Sequence, residues 1–218
     1  MKKEILVVGA TGRTGRIIVQ KLINRGFIPR ILVRDMAVVE NLFGDRVETF
    51  IGDVRDVESL LPAMDRVDAV ISAVGAGIPV GKNCPKRVDF QGVANLVEAA
   101  LQSDVRRFIL ISSIAVTNPK HPMNCFGRVL EYKLKGENVL RDSGLDYVII
   151  RPGGLTVTPG GQKKLIFDQG DQIMGTLSRS DLAETCLCAL DHPGEMHLTF
   201  EVIESGEDGR ANCGEIFA

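Results

Sequence analysis

EILVVGATGRTGRIIVQKLINRG, residues 4–26, is the stretch on which the reading of the fold turns. EILVVG (4–9) is a short apolar run that stops on a glycine. Apolar residues then recur at 17, 18, 22 and 23, the spacing of one helix face, and the helix predicted over 14–26 closes on Gly26. Between strand and helix lies GATGRTG (9–15), a G-x-x-G-x-x-G loop rather than the commoner G-x-G-x-x-G. Gly9 lets the chain leave the strand tightly, Gly12 lets backbone approach a ligand, and Gly15 lets the helix pack on the sheet. Backbone N–H groups and the helix dipole then face an anion, so the loop, with Thr11, Arg13 and Thr14, is expected to cradle a dinucleotide pyrophosphate. A glycine turn without a ligand is the alternative.

The same alternation continues outward. PRILVR (29–34), VETFIGD (47–53), VDAVISAVG (67–75), VRRFILISS (105–113), DYVIIRP (146–152) and MHLTFEVI (196–203) read as strands. VESLLPAM (57–64), KRVDFQGVANLVEAALQSD (86–104), residues 126–143 and SRSDLAETCLCALD (178–191) read as helices. Gly144 ends the third of these, and Ser178 or Ser180 caps the last. Strand-then-helix over the whole length predicts an α/β protein with a doubly wound parallel sheet of the Rossmann type, three layers in a single domain. The near-continuous apolar strands fit burial on both faces. The domain is expected over 1–203; SGEDGRANCGEIFA (205–218), within a glycine-rich tail 204–218, is expected to be mobile or ordered only by docking of Ile216 and Phe217.

Composition narrows the class. The chain has 218 residues, 44% hydrophobic and 25% charged, with net charge −2, so no basic field points to nucleic acid or an anionic membrane. No stretch approaches the roughly 20 apolar residues of a membrane helix, and the N-terminal apolar run is too short for a signal peptide; a cytoplasmic monomer or weak homodimer is expected. The five cysteines are odd in number and lack a C-x-x-C, which suggests reduced thiols and no metal site.

The end of the second strand reports on the cofactor. ILVRD places Arg34 where a dinucleotide binder contacts the adenosine ribose. Arg34 and Arg13 near a 2′-phosphate favour NADP(H) over NAD; the alternative gives the ribose to Asp35. His121, in NPKHPMN (118–124), reads as a solvated loop histidine, with a substrate contact or acid role as the alternative, and GAGIPVGKNCP (75–85) reads equally as a substrate-side loop long enough to act as a lid or as a plain surface loop.

GATGRTG, LVRD, the GDV of 52–54, ISAVG, FILISS and SGLDYVIIRPGGL together resemble the atypical short-chain dehydrogenase/reductases, more narrowly their NmrA-like and biliverdin/flavin-reductase-like members, over roughly residues 4–203. The resemblance implies that Asp53 and Val54 flank the adenine and that Ala73, Val74 and Gly75 line the cofactor. It puts Ser112 and Ser113 near the nicotinamide, with Pro152, Gly153, Gly154 and Leu155 closing over it. It also matches Lys135 to the family lysine that bonds the nicotinamide ribose, because K-x-E followed by SGLDY is the usual register.

Four residues before Lys135, where the family tyrosine is usual, stands Glu131; Tyr132 comes one residue late, about 100° around the helix, and is expected to face away. The resemblance therefore implies an NADPH-dependent oxidoreductase passing hydride to a planar acceptor such as a flavin, quinone or linear tetrapyrrole. The missing tyrosine keeps open a non-catalytic NADP(H)-binding redox sensor or assembly factor. A nucleotide-sugar epimerase is disfavoured, because too few residues follow Arg151 to build a substrate lobe.

Overall fold

The structure, a computed structural model, describes residues 3–209, 212, 216 and 217. β1 (Ile5–Val8), β2 (Arg30–Val33), β3 (Glu48–Ile51), β4 (Ala69–Ser72), β5 (Arg107–Ile111), β6 (Asp146–Pro152), β8 (Lys163–Asp168) and β10 (His197–Asp208) form one sheet in the order β3-β2-β1-β4-β5-β6-β10-β8. Every neighbouring pair is parallel except β10 with β8. Chain direction across the sheet reverses between β1 and β4, and an open parallel sheet offers its crevice at such a switch point. This is the Rossmann architecture the apolar runs predict.

Strand periodicity builds the layers. Ile5 and Val7 of β1 face one way and Leu6 and Val8 the other; Ile109 and Ile111 oppose Phe108 and Leu110 in β5 in the same manner. The first face packs on α1 (Arg13–Asn24) and α6 (Arg179–Asp191), the second on α3 (Leu61–Met64), α4 (Val93–Gln102) and α5 (Val129–Arg141). Both strand faces are thus buried, as parallel sheets require. Ser178 caps α6 by accepting from the Asp181 N–H at 3.0 Å. No helix among the described residues is long and apolar enough to cross a membrane.

Several elements differ from expectation. The helix predicted over 86–104 is split: Lys86–Gly92 is π-helical and only then does α4 begin. The helix predicted from 126 starts at Val129, because Gly127 and Arg128 both take positive φ. A short α2 (Ala37–Leu42), the edge strand β8, and a small parallel pair of β7 (Gly154–Thr156) with β9 (Thr176–Ser178) are too short for a helical or strand periodicity to announce them. β10 continues to Asp208, so residues 204–208, expected in the tail, belong to the sheet. Ile216 and Phe217 do pack on the core, with the Phe217 ring 5.8 Å from that of Phe200; the remaining tail positions 210, 211, 213–215 and 218 lie outside the described residues. The expectation of reduced thiols holds for Cys84, Cys125 and Cys186 and fails at Cys188, which is disulfide-bonded.

Candidate functional site

The glycine loop is folded as its spacing demands. Gly9 has φ +81°, and a Cβ there would lie 2.7 Å from the Ala73 carbonyl oxygen, so only glycine lets β1 turn beside β4. A Cβ at Gly15 would overlap the Gly9 carbonyl, which is how closely α1 seats on the loop. Gly12 is different: its backbone is extended (φ −74°, ψ 166°), and a Cβ would meet only the Gly9 oxygen, at 3.1 Å. Gly12 is also the N-cap of α1, which has no side-chain cap and no acidic residue in its first turn. The first N–H groups of α1 are therefore left for an anion.

Above this loop, at the β1/β4 switch point, opens a cleft of about 340 Å³. Gly9, Thr11 and Gly12 form its floor beside Arg34. Asp53 and Val54 close one end, and Ala73, Val74 and Gly75 line the wall. These nine sequence-predicted positions come together in one cavity. Arg13, Thr14 and Gly15 sit in the first turn of α1, outside the wall. Pro152, Gly153, Gly154 and Leu155 lie at the same C-terminal edge of the sheet, from the end of β6 to the start of β7, but do not line the cleft.

Two cleft residues were not singled out from sequence. Arg55 grips Asp53 through Nε at 2.8 Å, and this hydrogen bond holds the Asp53 carboxyl below the usual carboxylate range. Asn83 accepts from Arg34 Nη1 at 3.2 Å, and the Lys82 carbonyl accepts from Arg55 at 3.1 Å, so loop 75–85 is strapped over the end of the cleft that holds Arg34 and Asp53. Asp35 is engaged elsewhere. Its Oδ1 accepts the Ala37 N–H at 2.9 Å at the start of α2, and it does not line the cleft.

The opposite end is built by α5 and the end of β5. The structure places Lys133, not Lys135, on the inward side. Lys135 is exposed, ion-paired to Glu131 at 3.0 Å, with its Nζ 5.2 Å from the Tyr132 ring centroid. Lys133 Nζ lies 2.8 Å from Oδ1 of Asp89, a carboxylate only 1% exposed. The reason is helical geometry: Val129, Lys133 and Glu137 are four apart and share a face, whereas Lys135 is about 200° from Lys133. That periodicity was the signal that would have found Lys133. Tyr132 stacks on Phe90, centroids 6.4 Å apart, and lines no part of the cleft. One turn before Lys133 stands buried Val129, which carries no hydroxyl.

Ser112 is buried and donates its hydroxyl proton to Glu137, and Ser113 is half-buried beside it. Glu137 also receives Arg151 Nη2 and Arg141 Nη2, each at 2.7 Å, while Arg151 Nη1 reaches Glu201 at 3.3 Å. A small space of about 10 Å³ between Ser112, Lys133 and Asp89 meets the larger cleft at Val74, which lines both. His121 is a loop residue whose Nδ1 accepts from the Met123 N–H at 3.3 Å. Among the described residues no group of three or more His, Cys, Asp or Glu is arranged for a metal.

Comparison with known proteins fits this geometry. A family profile described as NAD(P)H-binding matches residues 9–193. Uncharacterized protein At2g37660, chloroplastic, from Arabidopsis thaliana is 36% identical over 85% of this chain, which spans 65% of that protein's length. Sanguinarine reductase from Eschscholzia californica is 32% identical over 87% of this chain and 85% of its own. Among solved structures, a putative NAD-dependent epimerase/dehydratase from Bacillus halodurans superposes with TM-score 0.83 at 26% identity, covering 99% of this chain and 98% of that one.

Proposed function

The chain belongs to the NAD(P)H-binding family, and from that premise we propose that it is an NADPH-dependent oxidoreductase acting on a small planar acceptor. The observation that carries the reading is the cleft itself: an uncapped helix N-terminus behind Gly12, a wall built by Ala73, Val74 and Gly75, and Arg34 lining it while Asp35 is engaged at the start of α2. When bound, a reduced nicotinamide supplies hydride. The N-terminus of α1 takes the diphosphate, and Arg34 takes the 2′-phosphate once it leaves Asn83. Lys133 serves the nicotinamide ribose in the role expected of Lys135. Ser112 commits its hydroxyl proton to Glu137, so toward the cofactor it is an acceptor for an amide N–H and not an acid. With Val129 where a phenol is usual, the proton that follows hydride comes from solvent.

A planar apolar acceptor suits the rim. Ile78 and Val80 on loop 75–85, and Met123 and Phe126 on the loop after β5, are exposed apolar residues. The two loops meet where Pro79 touches Gly127, so the four side chains flank one contact. The relative named sanguinarine reductase supports the reductase arm. The second reading, a non-catalytic NADP(H)-binding redox sensor or assembly factor, draws on the absence of any hydroxyl at Val129. NADPH oxidation against a panel of flavins, quinones and tetrapyrroles separates them. Saturable, acceptor-dependent consumption favours the reductase; tight binding without turnover favours the sensor.

Cofactor choice is tested at Arg34. The wild type is expected to bind NADPH at least about tenfold more tightly than NADH, since a charge-assisted hydrogen bond contributes about 1.5–3 kcal/mol. Arg34→Ala should bring the two affinities within about threefold of each other. Calorimetric titration of both cofactors measures this, and equal wild-type affinities would return the ribose to Asp35. Lys135→Ala should change NADPH affinity by less than about twofold, because an exposed ion pair contributes little.

A further inference from the structure

We propose that Asp89 is a positioning residue: it holds the Lys133 ammonium at the nicotinamide end of the cleft and, with its other oxygen, fixes the backbone behind it. The inference rests on the cofactor reading above and adds a residue to it.

Asp89 is 2% exposed, inside the π-helical segment Lys86–Gly92. Single π turns recur at functional sites because the extra residue swings a side chain out of ordinary helical register. Its Oδ2 accepts the Ala76 N–H at 3.0 Å, directly after the strand end that lines the cleft. Its Oδ1 is 2.8 Å from Lys133 Nζ, near enough for an ion pair yet not aligned as a hydrogen bond, so that oxygen makes no hydrogen bond to another protein group. It borders the small space shared with Ser112. α5 is pressed against this segment: a Cβ at Gly136 would lie 2.5 Å from the Asp89 carbonyl oxygen.

The other carboxylates on the helix are engaged elsewhere. Glu131 pairs with Lys135 and Arg128, and Glu137 with Arg141 and Arg151. Asp89 is therefore the carboxylate left to hold the half-buried Lys133, whose ammonium in turn offsets the burial of the Asp89 charge. Without it, the long lysine stem lets the ammonium swing to water, and the cleft loses its donor.

The test is a double-mutant cycle on the full chain: wild type, Asp89→Asn, Lys133→Met and the pair, each titrated with NADPH and with adenosine 2′,5′-bisphosphate, which fills only the adenine half. Each single variant should weaken NADPH about tenfold or more, as expected for losing a charge-assisted contact. Neither should move adenosine bisphosphate by more than about twofold, and the pair should match Lys133→Met within about twofold. The proposal is overturned if Asp89→Asn leaves NADPH affinity unchanged, if its effect persists in full on the Lys133→Met background, or if both ligands weaken alike, as for a merely structural role. An unaffected Lys133→Met also overturns it, while saturable NADPH binding by the wild type leaves the cofactor reading standing. A wild type that binds no NADPH sinks both. If Asp89→Asn does not fold, Asp89→Glu replaces it: the charge stays but moves by one methylene, and NADPH should weaken at least about threefold with adenosine bisphosphate unchanged.

Discussion

Gly12→Val is expected to abolish cofactor binding, by about a hundredfold or more, and to leave the domain folded. On the proposed reading a diphosphate would take at least two charge-assisted bonds from the start of α1, each contributing about 1.5–3 kcal/mol, and a branched side chain at 12 would occupy the space they reach into. The fold tolerates the change because the Gly12 backbone is extended, a conformation any residue adopts, and the new Cβ meets only the Gly9 oxygen, at 3.1 Å. That contact asks for an adjustment of a few tenths of an ångström. Gly15→Val is the control with the opposite signature: its Cβ overlaps the Gly9 carbonyl, α1 has to move, and overpacking of this kind costs about 1–3 kcal/mol. NADPH titration together with thermal unfolding reads both variants. Normal NADPH binding by Gly12→Val would remove the glycine loop from the site altogether.

That contrast between two glycines three residues apart shows what the chain makes legible. The frame was plain, because a strand buried on both faces reads as a near-continuous apolar run, and β1 and the centres of β4, β5 and β6 are such runs. The clustering of the cleft residues followed, since backbone spacing builds it: Gly9, Gly12, Arg34, Asp53 and Val74 all reach one cavity. The lysine did not follow. The K-x-E of residues 135–137 pointed to Lys135, which the structure leaves exposed, whereas the helix's own buried stripe of Val129, Glu137 and Leu140 runs along the side that carries Lys133. Asp89 was hidden for a different reason. A π turn breaks the 3.6-residue period on which any face assignment over 86–104 depends. β8, with a burial pattern that alternates loosely between water and core, is an edge strand that neither an apolar run nor strict alternation reveals.

Glu137→Ala is expected to be among the most destabilising single changes in the chain, at about 3–5 kcal/mol, the range found when one member of a buried ion pair is removed. Glu137 has no exposed surface, and three groups give it hydrogen bonds: the Ser112 hydroxyl and the guanidinium groups of Arg151 and Arg141. Arg141 is about a quarter exposed and can turn to water. Arg151 is 6% exposed along its side chain and cannot; it is left with Glu201, which it reaches at 3.3 Å and which also receives the Asp171 N–H at 2.8 Å. The loss is therefore a guanidinium reduced to one longer contact and an unpaired serine in the interior, not a missing surface contact. For a domain of this size it corresponds to a fall in Tm of roughly 6–20 °C. Urea unfolding of wild type and variant should show a lower midpoint at an unchanged slope, which assigns the loss to the native state. A midpoint shift equivalent to less than about 1 kcal/mol would mean that the interior relaxes enough to rehydrate Arg151, and that the cluster linking β5, α5, β6 and β10 is looser than its distances imply.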